Sequence, residues 1–168
     1  MSWSLFMVPL HSLARDGLAE WLASATSTRG LPDEIPLPRP LPTVAEVLDA
    51  FRLAGCHGTN WFEVIDEDAG TRLPECPEPT TCASVGGLDL GEVSLYATGQ
   101  TSSLPPIPAD VPVETVTFRK PSAAAVMRAA CALASSAGPQ LLFDHSGDPV
   151  FVVWPGEVTR ELELDWPW

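Results

Sequence analysis

Basic residues are scarce in this chain: nine lysines and arginines stand against 22 aspartates and glutamates in 168 residues, a formal charge of −13. That balance repels nucleic acid and anionic lipid and draws basic partners by long-range attraction, while also serving plain solubility. No apolar run approaches the roughly 18 to 20 residues that a helix needs to cross a bilayer, so no membrane partner is expected. Met1 to Ser4 has neither the basic region nor the small-residue cleavage pattern of a signal peptide, and the expected location is cytoplasmic. G-x-S-x-G, the phosphate-binding P-loop, the dinucleotide glycine pattern and H-E-x-x-H are all missing. No internal repeat of roughly 20 to 50 residues breaks the chain into a solenoid. These absences leave no catalytic residues and no cofactor to name, and the chain is expected not to be an enzyme.

What is present reads as a single α+β domain over 1–168, since a chain of this size hides about 70% of its unfolded surface. Ser2 to Val8 is rich in strand formers, and apolar residues then recur at helical spacing from Leu10 to Ala25. The prolines of LPDEIPLPRPLP, Leu31 to Pro42, favour a stiff extended connection, and a second proline-rich connection lies near 104–112. Thr43 and Glu46 form a capping box at the start of a helix over Thr43 to Ala54, which Gly55 can end. Asn60 to Asp66, Leu90 to Ala97 and Val113 to Arg119 read as strands. Ser122 caps an alanine-rich helix with the inward stripe Val126, Ala130, Leu133 and Ala137, stopped by Gly138-Pro139. QLLFD, PVFVVW and EVTRELELD, joined by two short turns, predict a three-stranded antiparallel meander. The expected architecture is a mainly antiparallel sheet with about three helices packed on one face.

Chemistry would most readily sit in CHGTNWFEVIDEDAGTRLPECPEPTTC, which holds three of the four cysteines, one of the three histidines and many carboxylates. Zinc favours two close ligand pairs, but Cys76 and Cys82 are five residues apart, and Cys56 and His57, being adjacent, point to opposite faces of an extended strand. The expectation is a loop with free thiols and no metal. The alternative is a small metal-binding protein or enzyme using Cys56, His57, Cys76 and Cys82. A Cys76–Cys82 disulfide would require an oxidising compartment. Asp66, Glu67 and Asp68 before Gly70 fall short of a calcium loop, because Ala69 stands where a ligand is needed and Cys76 where the closing glutamate belongs. Asp144-His145-Ser146 has the letters of a triad without its geometry, and Cys131 among alanines reads as packing.

Read as a strand, the C-terminus EVTRELELDWPW puts Glu157, Glu161, Glu163 and Asp165 on one face, with Trp166 and Trp168 beside them. Charge next to aromatic anchors suits a protein-binding surface, and the acidic residues Asp66, Glu67 and Asp68 are the second candidate contact. The stretch VTFRKPSAAAVMRAACALASSAGPQLLFDHSGDPVFVV, Val116 to Val153, resembles a layout of small bacterial immunity proteins of polymorphic toxin systems: a strand with arginine, an alanine-rich helix, then a hairpin with an acidic turn. The resemblance implies a small acidic cytosolic protein that binds and blocks a toxin enzyme, with no catalysis of its own; the charge of −13 points to a basic toxin domain as that partner.

Overall fold

The computed structural model describes residues 3–14, 18–98 and 106–168. Seven strands are present among them: β1 (Ser4–Pro9), β2 (Thr28–Arg29), β3 (His57–Asn60), β4 (Asp89–Ala97), β5 (Val113–Arg119), β6 (Gln140–Asp144) and β7 (Val150–Val153). Four α-helices accompany them: α1 (Leu18–Ala23), α2 (Val44–Leu53), α3 (Ala123–Ala137) and α4 (Thr159–Glu163). The strands form one mixed sheet in the order β2-β7-β6-β1-β5-β4-β3, and the fold is α+β. The four inner pairings are antiparallel, and the outermost pairing at each edge, β2 with β7 and β3 with β4, is parallel. Among the described residues no helix is long and apolar enough to cross a membrane.

One face of the sheet carries the larger core. Leu5, Met7, Val93, Leu95, Val116, Phe118, Leu142, Phe151 and Val153 point into it from the strands and meet α2, α3 and Leu162 of α4. Alanine lets α3 lie close: Ala125, Ala129, Ala130 and Ala134 are fully buried, and Ser122 accepts the Ala125 N–H at 3.2 Å to cap the helix. The capping box of α2 forms as its spacing requires, Glu46 Oε2 accepting from the Thr43 N–H at 2.7 Å and Thr43 Oγ1 from the Glu46 N–H at 3.2 Å. A smaller core lies on the opposite face, where Leu10, Leu13 and Leu22 cover Val8, Leu141, Val150 and Val152. Helices therefore occupy both faces, not one. Of the expected first helix, Leu10–Ala14 is a 3-10 segment and Leu18–Ala23 the short α1; residues 15–17 of that expectation lie outside the described ones.

Two strand expectations are corrected. Of the expected strand Asn60 to Asp66, Asn60 ends β3 and the rest makes only an isolated bridge from Val64 to Ile107, with Phe62 and Val64 buried and Trp61 and Ile65 exposed. The regular strand lies upstream at β3. The third strand of the meander is the helix α4 instead. Beyond β7 the edge that such a strand would pair with is already taken by β2, at Thr28↔Val150 and Arg29↔Phe151. With no ladder open to it, TRELE falls to its helix-forming composition, and Glu161 accepts the Val158 N–H at 3.0 Å to satisfy the first turn. The period-two carboxylate ladder does not exist.

Candidate functional site

The connection from β3 to β4 leaves the sheet at its edge and is fastened at several points. The Asn60 side chain accepts the Leu73 N–H at 2.8 Å and donates to the Leu73 carbonyl at 3.2 Å, closing the segment between them. The Trp61 N–H reaches the Val93 carbonyl at 2.8 Å, and Ile65 and Glu63 exchange backbone bonds with Ile107 at 2.9 Å each. Phe62, Val64 and Leu73 fill the core beneath. Alternation then forces the intervening side chains outward. Trp61 and Ile65 are 52% and 50% exposed, large apolar surfaces on a loop pinned from below.

Carboxylates surround them. Glu63, Asp66, Glu67 and Asp68 are all exposed, and Glu67 pairs with Arg72 at 3.0 Å. Asp66 takes a left-handed φ of 56° that turns the chain. Asp68 acts locally, its Oδ1 accepting the Gly70 N–H at 2.7 Å while its own N–H donates to Thr71 Oγ1 at 2.9 Å, and so caps the 3-10 turn Ala69–Thr71. A capped turn accounts for the resemblance of these letters to a calcium loop.

At the base of the same connection the chain gathers His57, Cys76 and Cys82, with ligand atoms all within 4.8 Å of one another. His57 is fixed as the first residue of β3, opposite Asp89 of β4. Cys82 sits at the end of a turn in which its N–H bonds the Glu78 carbonyl at 2.9 Å and its carbonyl accepts the Gly87 N–H at 2.7 Å. Its Sγ lies 3.3 Å from His57 Nε2. Gly87 makes this possible, because a Cβ there would overlap Cys82 Sγ and stand 2.9 Å from the Cys82 carbonyl oxygen. Burial, the Cys76 thiol alongside and the Asp89 carboxylate raise the Cys82 pKa above its ordinary value. A cavity of about 430 Å³ opens beside the cluster, with Arg72, Glu75 and Asp89 in its wall.

Cys56 does not join this group. It is buried under α3, its thiol directed at the Ala125 carbonyl at 3.5 Å, and burial pushes its pKa up to about 11 against a small opposing pull from Arg128. Adjacent residues on an extended strand do point apart, as expected for Cys56 and His57. Cys131 is likewise pushed up to about 11, chiefly by burial, with Glu157 and Glu161 adding to it and Arg29 opposing. Asp144 and Ser146 form a local turn, Asp144 Oδ1 accepting from the Ser146 N–H at 2.8 Å and from its hydroxyl at 2.5 Å.

The C-terminal candidates lie at the opposite edge of the sheet. Glu157 is bound to Arg29, with Nη2 at 2.7 Å from Oε1, and also accepts the Trp154 N–H at 2.8 Å. Asp165 lies 3.7 Å from the same guanidinium. Glu161 caps α4 and Glu163 is exposed. Trp166 and Trp168 pack on Phe151 at 5.1 and 6.4 Å between ring centroids and on each other at 5.3 Å. They cover the end of the larger core. Trp61, Ile65 and Gly87 are additions to the candidate residues. The strand reading of Asn60 to Asp66 could have found the first two by alternation, whereas nothing in the sequence distance between Gly87 and Cys82 announces their contact.

Comparison with known proteins gives no match: no family model, no curated protein and no solved structure is similar to this chain.

Proposed function

We propose that this protein is a non-catalytic binding module, an immunity-type inhibitor that docks on a basic toxin domain through the β3–β4 connection. The observation that carries the reading is the pairing of two half-exposed apolar side chains, Trp61 and Ile65, with the carboxylates Glu63, Asp66, Glu67 and Asp68 on a loop fastened to the sheet. Aromatic and aliphatic anchors ringed by charge of one sign are the usual make-up of a steered interface, the charges acting on encounter and the anchors on residence time. A loop already held in place loses little freedom on binding. The acidic surface of α4 is the other candidate, but β7 and β3 stand five strand spacings apart, about 24 Å, so the two patches are separate surfaces. There Glu157 is occupied by Arg29, and the tryptophans are turned onto Phe151.

The test uses the full chain with the secreted enzyme domain encoded beside its gene. Replacing Asp66 and Asp68 together by lysine should slow association by about tenfold at low salt, and Trp61→Ala should raise the dissociation rate by roughly 30-fold, the equivalent of about 2 kcal/mol. Unchanged kinetics in both, with a slowed association in Glu161→Lys/Glu163→Lys, would move the contact to the opposite edge. Absence of any toxin-like gene nearby and of any captured basic partner would remove the reading.

A further inference from the structure

We propose that His57, Cys76 and Cys82 form a zinc site that ties the base of the β3–β4 connection, with water from the adjoining cavity as fourth ligand. Two thiol sulfurs and an imidazole nitrogen are the donor set that a borderline-soft divalent ion prefers over magnesium or calcium. The spacing fits. Donors bound to tetrahedral zinc at about 2.0 to 2.3 Å stand roughly 3.5 to 3.8 Å from one another, and here Cys82 Sγ and His57 Nε2 are 3.3 Å apart with every donor pair inside 4.8 Å. Side-chain rotation of about an ångström, mainly at the partly exposed Cys76, would bring all three to bonding distance.

The surroundings support occupation by an ion rather than chance proximity. His57 and Cys82 are 7% and 8% exposed, so both are already withdrawn from water at no further cost to the ion's binding. The chain gives up a side chain at Gly87 to admit the Cys82 sulfur. Two thiolates and a neutral imidazole would carry a net charge of zero with Zn²⁺, while Asp89, Glu75 and Arg72 stand in the cavity wall on the open side. Cys56 is excluded by its position under α3. The ligand set is thus three residues, not the four that cluster in the sequence.

This inference is independent of the docking reading, since zinc stoichiometry is measured on the isolated protein. The untagged 168-residue chain is reduced, stripped with chelator and re-equilibrated with zinc, and then with cobalt. Wild type should bind one zinc per chain and show the thiolate charge-transfer band and intense visible bands of tetrahedral cobalt. Cys76→Ser, at a partly exposed position where folding is preserved, and Cys82→Ser should each weaken binding by at least roughly tenfold, while Cys56→Ser keeps wild-type stoichiometry. Zinc should raise the melting temperature of wild type and not that of Cys82→Ser. No zinc uptake by the reduced wild type would overturn the site. So would equal loss of binding in Cys56→Ser with an unchanged near-ultraviolet spectrum. A purified chain lighter by two hydrogens, with the bond located between Cys76 and Cys82 by peptide mapping, that fails to take zinc after reduction would overturn the site in favour of a disulfide.

Discussion

Arg29 is the residue on which the C-terminal arrangement turns, and removing it gives a measurable result. Its guanidinium donates to the Val152 carbonyl at 2.9 Å and to Glu157 Oε2 at 2.9 Å, places Nη2 2.7 Å from Oε1, and lies 4.9 Å from the centroid of Phe151. Both side chains are 22% exposed, so water screens the pair less than it would a surface bridge. A charge-assisted hydrogen bond in such a setting contributes about 1.5 to 3 kcal/mol, and a guanidinium over an aromatic face adds about 0.5 to 1 kcal/mol. Arg29→Ala should therefore cost about 2 to 4 kcal/mol, a lowering of the melting temperature by roughly 4 to 16 °C for a chain of this size. Glu157→Gln retains the Trp154 bond and should cost less, about 1 to 2 kcal/mol. The double variant should show a coupling of about 1 to 2 kcal/mol in a urea-unfolding cycle. Near-ultraviolet circular dichroism should change in Arg29→Ala, because Phe151 carries both Arg29 and the two tryptophans. A coupling below about 0.3 kcal/mol would refute the reasoning and class the pair with exposed bridges that contribute almost nothing.

Acid should destabilise the fold through particular carboxylates. Asp148, which accepts from the Thr26 hydroxyl and from the Thr26 and Ser27 N–H groups, is held below its ordinary 3.8; Asp144, where burial is outweighed by Ser146 and Trp168, and Glu157, where burial is outweighed by Arg29 and Trp154, are lowered likewise. The unfolded chain then binds more protons than the folded one in acid, so this stability is complete above the unfolded values and is lost as pH falls through the folded ones. Urea midpoints should be level from pH 7 to about 5 and drop below about 4.5, with a shallower drop in Asp148→Asn; an equal drop in that variant would show that Asp148 is not among the groups responsible. Gly87→Ala should lower stability by about 1 to 3 kcal/mol through overlap with the Cys82 turn, and Cys82→Ala in the same chain should recover only part of it, since the carbonyl at 2.9 Å remains; full stability in Gly87→Ala would show that the turn shifts freely.

Those features of the fold that follow from contacts close in sequence were legible in it. The Thr43–Glu46 box, the Ser122 cap and the buried stripe of α3 each depend on residues three or four apart, and each forms as read. EVTRELELD misled because its period of two is real but its environment is not in its own residues. Whether such a segment pairs as a strand depends on a free sheet edge, and the edge of β7 is filled by Thr28 and Arg29, more than 120 residues away in sequence. A two-residue strand has no periodicity to recognise. The smaller core on the second face has the same origin in long-range packing.

The cysteines show the same division at the level of chemistry. Strand alternation was enough to separate Cys56 from His57, and the structure sends one under α3 and the other toward the loop. What alternation could not give was the return of the chain, 25 residues later, that puts Cys82 beside His57. That return depends on parallel pairing of β3 with β4 and on the tight turn closed by Gly87, neither of which follows from ligand spacing. Spacing rules for zinc describe ligands delivered in close pairs by knuckles and helices; here two ligands come from opposite ends of a loop whose ends the sheet joins, and the third from the loop itself. An ion at that junction would close the segment 57–82 in the folded state, restricting the very connection that presents Trp61, Ile65 and the carboxylates around them. If both proposals hold, stripping the zinc should slow binding of the basic partner far less than it speeds dissociation, because the charges stay on the surface while the anchors lose their fixed base.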